Sequence, residues 1–486
     1  MKKLPVIVLC ALALASCGRV SIVGKLAEDY SIYPDYKEVT LPPNIAPVNF
    51  CMSDSSAYAL TVEGRGGAFS VRSRKGCFRL PQGRWRRLLE ASKGSDLTFS
   101  PAVKKDGKWL EMTPFTVHVA EEEASPYIVY RLIPPGYGMW RRMGIYQRNI
   151  ENYRQTPVYE NNLTGDNCVN CHSFPSRDPS SMVFHMRARN GGTVLVEDGA
   201  VHKLDTKTDS TISNLVYPFW HPSGKFIAFS VNKTFQAYHM SNPDRIEVYD
   251  SASDVVVLDV DSRRILSCPL LKSEAAFETF PCFSPDGSSL YFCTSPAVEG
   301  MPSGYRDAHY SLCRIGFDAA TGTFGSSVDT LFNAGGAFSA SFPRVSPDGR
   351  LLVFTRHSFG NFSIWHSDAD LWCVDLSTGE LSPLAAANSP VSTDSYHSWS
   401  ADSRWLVFSS RRGDGLYTRP YFTYVSEDGT ASKAFMLPQK NPRKYYRELM
   451  FSYNIPEFAD SKVKVSRHGI ASVMRRSAGE GLTYLP

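Results

Sequence analysis

Beyond residue 20 the chain has no run of about 18 apolar residues, so nothing after that point could cross a bilayer as a helix. It also lacks an excess of either charge. Lys and Arg number 52 against 48 Asp and Glu, a formal net charge of +4, which removes any global electrostatic case for nucleic acid. A G-x-S-x-G elbow, an H-E-x-x-H pair, a P-loop and a dinucleotide-binding glycine fingerprint are all missing, so hydrolase and nucleotide chemistry are disfavoured. No second C-x-x-C accompanies the one at 168 to 171, which argues against a zinc ribbon. The 11 cysteines are otherwise scattered singly, so a dense disulfide framework is excluded; Cys51 and Cys77 could bridge neighbouring strands. What the chain does have is 28 Phe, 24 Tyr and 8 Trp with 34 Gly and 31 Pro spread over 486 residues, the balance of a large strand-rich protein with many tight turns.

Lys2 and Lys3 precede a short apolar stretch, residues 4 to 15, in the pattern of a secretory signal. It ends in Leu14-Ala15-Ser16-Cys17, which resembles the bacterial lipobox; the alternative is an ordinary signal cut near Ala15. The resemblance implies a signal peptide over 1–16, lipidation of Cys17 and a membrane partner reached through that lipid. Gly18-Arg19-Val20 follows, and the absence of Asp next to the cysteine and of an acidic run implies the periplasmic face of the outer membrane.

Residues 17–125 alternate short apolar strands with Gly, Ser, Asp and Lys, as in Tyr58-Ala59-Leu60-Thr61-Val62, and predict a β-sandwich-like domain. Residues 126–180 read as an irregular connector. Then four segments align, beginning at Tyr217, Phe280, Phe342 and Tyr396; each has an aromatic start, a tight turn of the S-P-D-G kind and an alternating strand. Proline presets the first turn dihedral, Asp bonds its own backbone and Gly takes the positive φ. Second hairpins lie between, at Val255–Val260, Tyr310–Ile315 and Leu371–Gly379, so each period supplies a four-stranded sheet. The expectation is an all-β chain with a five- or six-bladed β-propeller over 181–450 and a tail over 451–486. The basic cluster Arg443, Lys444 and Arg447 reads as solvated surface.

These repeats resemble the TolB-like β-propellers, and with the lipobox the chain looks like a TolB-like propeller lipoprotein of Bacteroidota. Two departures stand out: Ser223 replaces Asp in the first repeat, and the fourth reads Ser400-Ala401-Asp402-Ser403.

Residues 168 to 172 read C-V-N-C-H, the attachment pattern of c-type haem. The match implies one covalently attached haem c, with thioethers at Cys168 and Cys171 and His172 as proximal iron ligand. A local disulfide or redox pair, half a metal site and chance coincidence compete with it. For the distal iron position the candidates are His185, in the strand-like run after the motif, and His221, which occupies a slot where the other repeats have Ser. The leading expectation is therefore a membrane-tethered periplasmic monohaem cytochrome-like protein, serving electron transfer or redox or ligand sensing, with the propeller holding haem and docking a redox partner. The alternative is a non-enzymatic envelope binding or scaffold protein in which C-V-N-C-H is structural and the partner is another envelope protein.

Overall fold

A computed structural model describes residues 20–134, 142–242, 244–448 and 450–485. Cys17 and the leader lie outside the described residues. Two compact units form, one from residues up to 123 with 151–153 and 438–448, the other from 124–150, 154–437 and 449–486.

The first unit is built on a seven-stranded sheet whose main path runs Ile22–Leu26, Lys108–Met112, Ser95–Lys105, Tyr58–Gly64, Gly67–Ser73. A two-stranded pair, Ile32–Tyr33 with Cys51–Met52, and the helix Gln82–Ala91 complete it. Trp85 on that helix is fully buried and donates its indole N–H to the Ile45 carbonyl at 3.0 Å, a polar handle on a large apolar contact. Phe50, Phe78, Phe99 and Phe115 fill the core with ring centroids 4.9 to 6.5 Å apart. The Cys51–Cys77 disulfide forms here.

The second unit is a six-bladed β-propeller. Its innermost strands, in chain order, are β1 (Val169–Ser173), β2 (Val216–Trp220), β3 (Ala276–Phe283), β4 (Ser339–Val345), β5 (Asp394–Trp399) and β6 (Ser452–Ala459). Blades are numbered by these strands. Each blade continues outward through three further antiparallel strands. Alternate residues on successive strands bury both faces, and the cores lie between adjacent blades. Blade 6 is composite: β6 pairs with Tyr127–Ile133, which pairs with Gly144–Asn149 and then Gln155–Glu160. The stretch read as a connector thus supplies three strands of a blade and the stretch read as a tail supplies its innermost one. The tail also adds Glu480–Gly481 to blade 1 and Thr483–Tyr484 to blade 2 as parallel fifth strands.

The S-P-D-G turns behave as their chemistry dictates. Gly287 takes φ 77°, and Ser284 and Ser288 bond the Asp286 carboxylate. In the departing turn Ser403 adopts the left-handed conformation itself, at φ 63°, and its hydroxyl accepts the Asp348 N–H of the preceding blade at 2.9 Å. Among the described residues no helix is long and apolar enough to cross a membrane.

Candidate functional site

One residue in every innermost strand has positive φ: Cys171 (52°), Tyr217 (50°), Phe280 (52°), Phe342 (54°), Tyr396 (54°) and Ile455 (52°). At each the register to the second strand slips, the mark of a β-bulge. The residue that follows is His172, Pro218, Pro281, Pro343, His397 or Pro456. Proline suits a bulge because it brings no N–H that needs a partner. These six positions are structurally equivalent, and they close the middle of the channel. Phe280 lies 4.8 Å from Tyr217 and 4.0 Å from Phe342, and Phe342 lies 4.7 Å from Tyr396, centroid to centroid.

This equivalence corrects the haem assignment. Cys171-His172-Ser173-Phe174 is the blade 1 counterpart of Tyr396-His397-Ser398-Trp399 in blade 5. His397 donates from Nε2 to the Val353 carbonyl at 2.8 Å, and His172 donates from Nε2 to the Val129 carbonyl at 3.3 Å, each reaching the second strand of the preceding blade. Burial pushes both imidazoles down to about 3, so both are neutral and wedged between blades. Across the bulge Cys171 and His172 are turned to different sides of the strand. Cys168 and Cys171 face one chamber of the channel, of about 190 Å³, and His172 faces the other, of about 230 Å³. Attachment of haem c needs both thiols and the proximal imidazole around one macrocycle, and these three do not converge.

The distal candidates serve the fold as well. His185 is buried with Nδ1 3.1 Å from the Thr193 hydroxyl, and burial pushes it down to about 3. His221 accepts the Ser223 N–H at Nδ1 and donates from Nε2 to the Gly287 carbonyl at 3.2 Å, tying blade 2 to the turn of blade 3. A Cβ at Gly287 would sit 2.1 Å from that Nε2, so this glycine answers both the turn and the imidazole. Among the described residues no three His, Cys, Asp or Glu side chains are grouped to hold a metal ion. The residues do not fit haem c, and the iron-binding, cytochrome and electron-transfer expectations fall with it, as does the family placement insofar as it included haem. The six-bladed propeller stands.

The structural role of His172 is testable. His172→Gln retains a donor for the Val129 carbonyl and should stay within about 1 kcal/mol of the parent. His172→Leu removes the donor to that carbonyl and should cost about 1 kcal/mol more than His172→Gln in urea denaturation. Equal stability of the two variants would remove the bond from the account.

The chamber on the thiol side is the electrostatically distinctive one. Arg131, Arg187 and Arg411 line it, together with Tyr217, Tyr396, Asn170, Asn454, Gln236 and an apolar wall that includes Ile246, Val248, Phe362 and Trp365; among the described residues no Asp or Glu does. Arg131 is 7% exposed and has no hydrogen-bond or ion-pair partner among the described residues, its Nε fully enclosed. Arg411 is also buried, with its guanidinium 3.1 Å from the Trp365 ring centroid and Nε donating to the Ile364 carbonyl at 2.7 Å; burial pulls it down to about 9, where it still carries its charge at neutral pH. Burial raises the Cys171 thiol in spite of nearby Arg131, so it stays protonated at neutral pH and is a wall group, not a nucleophile. In the opposite chamber Glu457 accepts the Phe174 N–H at 3.2 Å and lies 3.9 Å from His172 Nε2. Burial pushes its carboxyl up to about 8.

Sequence reasoning missed the arginine chamber, because its three guanidiniums come from blade 6, the end of a strand in blade 1 and a loop of blade 5. It could have caught the histidines: the pairing of Cys171-His172 with Tyr396-His397 is visible once the aromatic-Pro start of the repeat is extended to all six blades.

The fold and the channel define a six-bladed propeller protein, and no family profile and no curated protein matches the sequence. Solved structures resemble it remotely. A puromycin-hydrolyzing peptidase of Mycobacterium tuberculosis is 13% identical with a TM-score of 0.36; the match covers 71% of this chain and 52% of that one, so the chain spans about half the peptidase's length. A putative 6-phosphogluconolactonase from Bacteroides uniformis is 11% identical with a TM-score of 0.34, covering 79% of this chain and 98% of that one. An oligogalacturonate lyase in complex with manganese is 12% identical with a TM-score of 0.36, covering 64% and 72%.

Proposed function

We propose that this chain is a non-enzymatic binding protein of the cell envelope, anchored through Cys17, that takes an anionic ligand in the arginine chamber of its propeller channel and presents it to, or takes it from, another envelope protein. In this reading the C-V-N-C-H segment is part of the chamber wall and of the blade contact behind it. The carrying observation is Arg131: the residue is 7% exposed, its Nε is enclosed without a partner, and its two Nη groups are left to face the chamber, where an anion would compensate the charge. Arg187 and Arg411 add charge of the same sign; among the described residues no Asp or Glu lines the wall, and Asp414 and Asp244 act on Arg411 from outside it.

Thermal melting in acetate, citrate, phosphate or sulfate, against chloride at matched ionic strength, tests this. At least one anion should raise the melting temperature of the parent and not of Arg131→Met; at 100 times Kd the stabilisation is about 2.7 kcal/mol. If no anion outperforms chloride, or the variant responds like the parent, the reading falls. The anchoring part expects Cys17→Ser to move the protein from the membrane to the soluble fraction; an unchanged distribution would refute it.

A further inference from the structure

The chamber lies beside an open strand edge. In blade 2 the second strand, Phe226–Tyr238, pairs with Ile246–Asp259 along its whole length, from Phe226 opposite Asp259 to Tyr238 opposite Ile246. On its other side β2 covers it only from Ile227 to Ser230. Because β2 is the innermost strand, the edge over residues 233–238, which no strand covers among the described residues, is on the channel side. Thr234 and Gln236, alternate residues of this segment, line the arginine chamber. Natural sheets guard such edges with charges, prolines or bulges. Here the segment reads Lys-Thr-Phe-Gln-Ala-Tyr, with one charge and no proline. Phe235 is 45% exposed and stacks on Tyr249 at 5.8 Å, and Tyr238 is 53% exposed.

The chamber's floor is the ring of bulge residues, packed too closely for a chain to thread. The chamber above that floor is open on one side and closed below, so it receives a chain end and not a strand passing through. Its walls combine the three arginines with Ile246, Val248, Phe362 and Trp365, so the occupant offers both an anionic group and an apolar one. Arg411 spends Nε and Nη1 on the Ile364 and Leu416 carbonyls and has no partner for Nη2 among the described residues; Arg131 keeps its whole fork.

We infer that the ligand is the C-terminal end of an extended polypeptide, its last residues added as a strand along the free edge at 233–238 and its terminal carboxylate held by Arg131 with Arg187 and Arg411. Strand addition supplies backbone hydrogen bonds without demanding a particular sequence, and a guanidinium fork matches a carboxylate in two parallel bonds. An apolar final side chain meets the Trp365 side of the wall. The inference rests on the anion-chamber reading and assigns its ligand.

Fluorescence polarisation on the full protein tests it with labelled hexapeptides ending in Leu or Phe, as free acids and as C-terminal amides. Free acids should bind at least tenfold tighter than amides. Arg131→Met, and separately the exposed Arg187→Ala, should reduce or abolish that difference, the second variant guarding against misfolding of the first. N-acetylphenylalanine, which offers a carboxylate without a strand, should compete at least tenfold more weakly than a hexapeptide. Equal binding of acids and amides, or competition by N-acetylphenylalanine as strong as by the hexapeptide, overturns the inference. If peptides fail while an inorganic anion or acetate still stabilises the protein through Arg131, the inference falls and the chamber reading stands; if neither acts, both fall.

Discussion

Phe280→Ala should lower the stability of the propeller by about 3–5 kcal/mol, the cost of emptying a close-packed aromatic site. Phe280 is 1% exposed and touches both Tyr217 and Phe342 in the channel ring, so its loss removes buried area and two ring contacts together. Its backbone is at φ 52°, a conformation alanine tolerates no better than phenylalanine, so no relief of strain offsets the cavity. Urea denaturation reads the loss directly. Benzene, which enters dry apolar cavities, should raise the melting temperature of the variant and leave the parent unchanged. Phe280→Leu, which refills most of the volume, should cost markedly less. A Phe280→Ala variant within about 1 kcal/mol of the parent would mean that the ring is loosely packed and the two chambers already communicate.

Stability should also peak near pH 6.5 and fall on both sides. On the alkaline side, burial lifts Glu457 and Glu278 from the ordinary 4.5 to about 8, Glu278 further helped by the Asp254 carboxylate. Below pH 4.5 both folded and unfolded chains hold these protons. Between 4.5 and 8 the unfolded chain releases them and the folded chain does not, so stability drains away as pH rises; above 8 the loss is complete. Each unit of such a shift corresponds to about 1.4 kcal/mol, so two carboxyls amount to several kcal/mol. On the acid side His172, His185 and His397 are held to about 3 by burial, so from pH 6.5 downward the unfolded chain binds protons the folded chain refuses, and stability falls again. Urea midpoints at pH 5, 6.5 and 9 check the two limbs. The double variant Glu457→Gln with Glu278→Gln should flatten the alkaline limb and leave the acid limb in place; an unaltered alkaline limb would place the titration elsewhere.

The propeller was legible where local chemistry repeats. Turns at His221, Ser284, Ser346 and Ser400 carry Pro, Asp or Gly at the positions a tight turn requires, and four blades followed from them. Blade 1 was obscured because its turn reads Pro175-Ser176-Arg177-Asp178, with neither Asp nor Gly in the expected places. Blade 6 was obscured because Ile455-Pro456-Glu457-Phe458 stands far along the chain from the three strands it joins. The same gap in blade 1 misled the reading of chemistry. With the bulge position occupied by Cys171 in place of an aromatic, and the Pro position by His172, a structural repeat spelled a cofactor motif. A pattern of five residues specifies which side chains are near one another in sequence, but the bulge decides which side of the strand each one leaves. Arg131, Arg187 and Arg411 carried no sequence signal at all, because nothing local distinguishes them from surface arginines.

The composite sixth blade bears on how the chain reaches its fold. Five blades can assemble in order as the polypeptide becomes available, each zipping onto the last through nearby contacts. The ring cannot close until residues 452–459 meet residues 127–133, a pairing across more than three hundred residues of sequence. Until then blade 6 is a three-stranded sheet with a naked inner edge, and blade 5 faces the gap. Contacts this distant form slowly. The nearly finished molecule is therefore an open crescent whose exposed edge attracts strands from its neighbours, and the last step of folding is also the step at which one molecule is most easily mistaken for two.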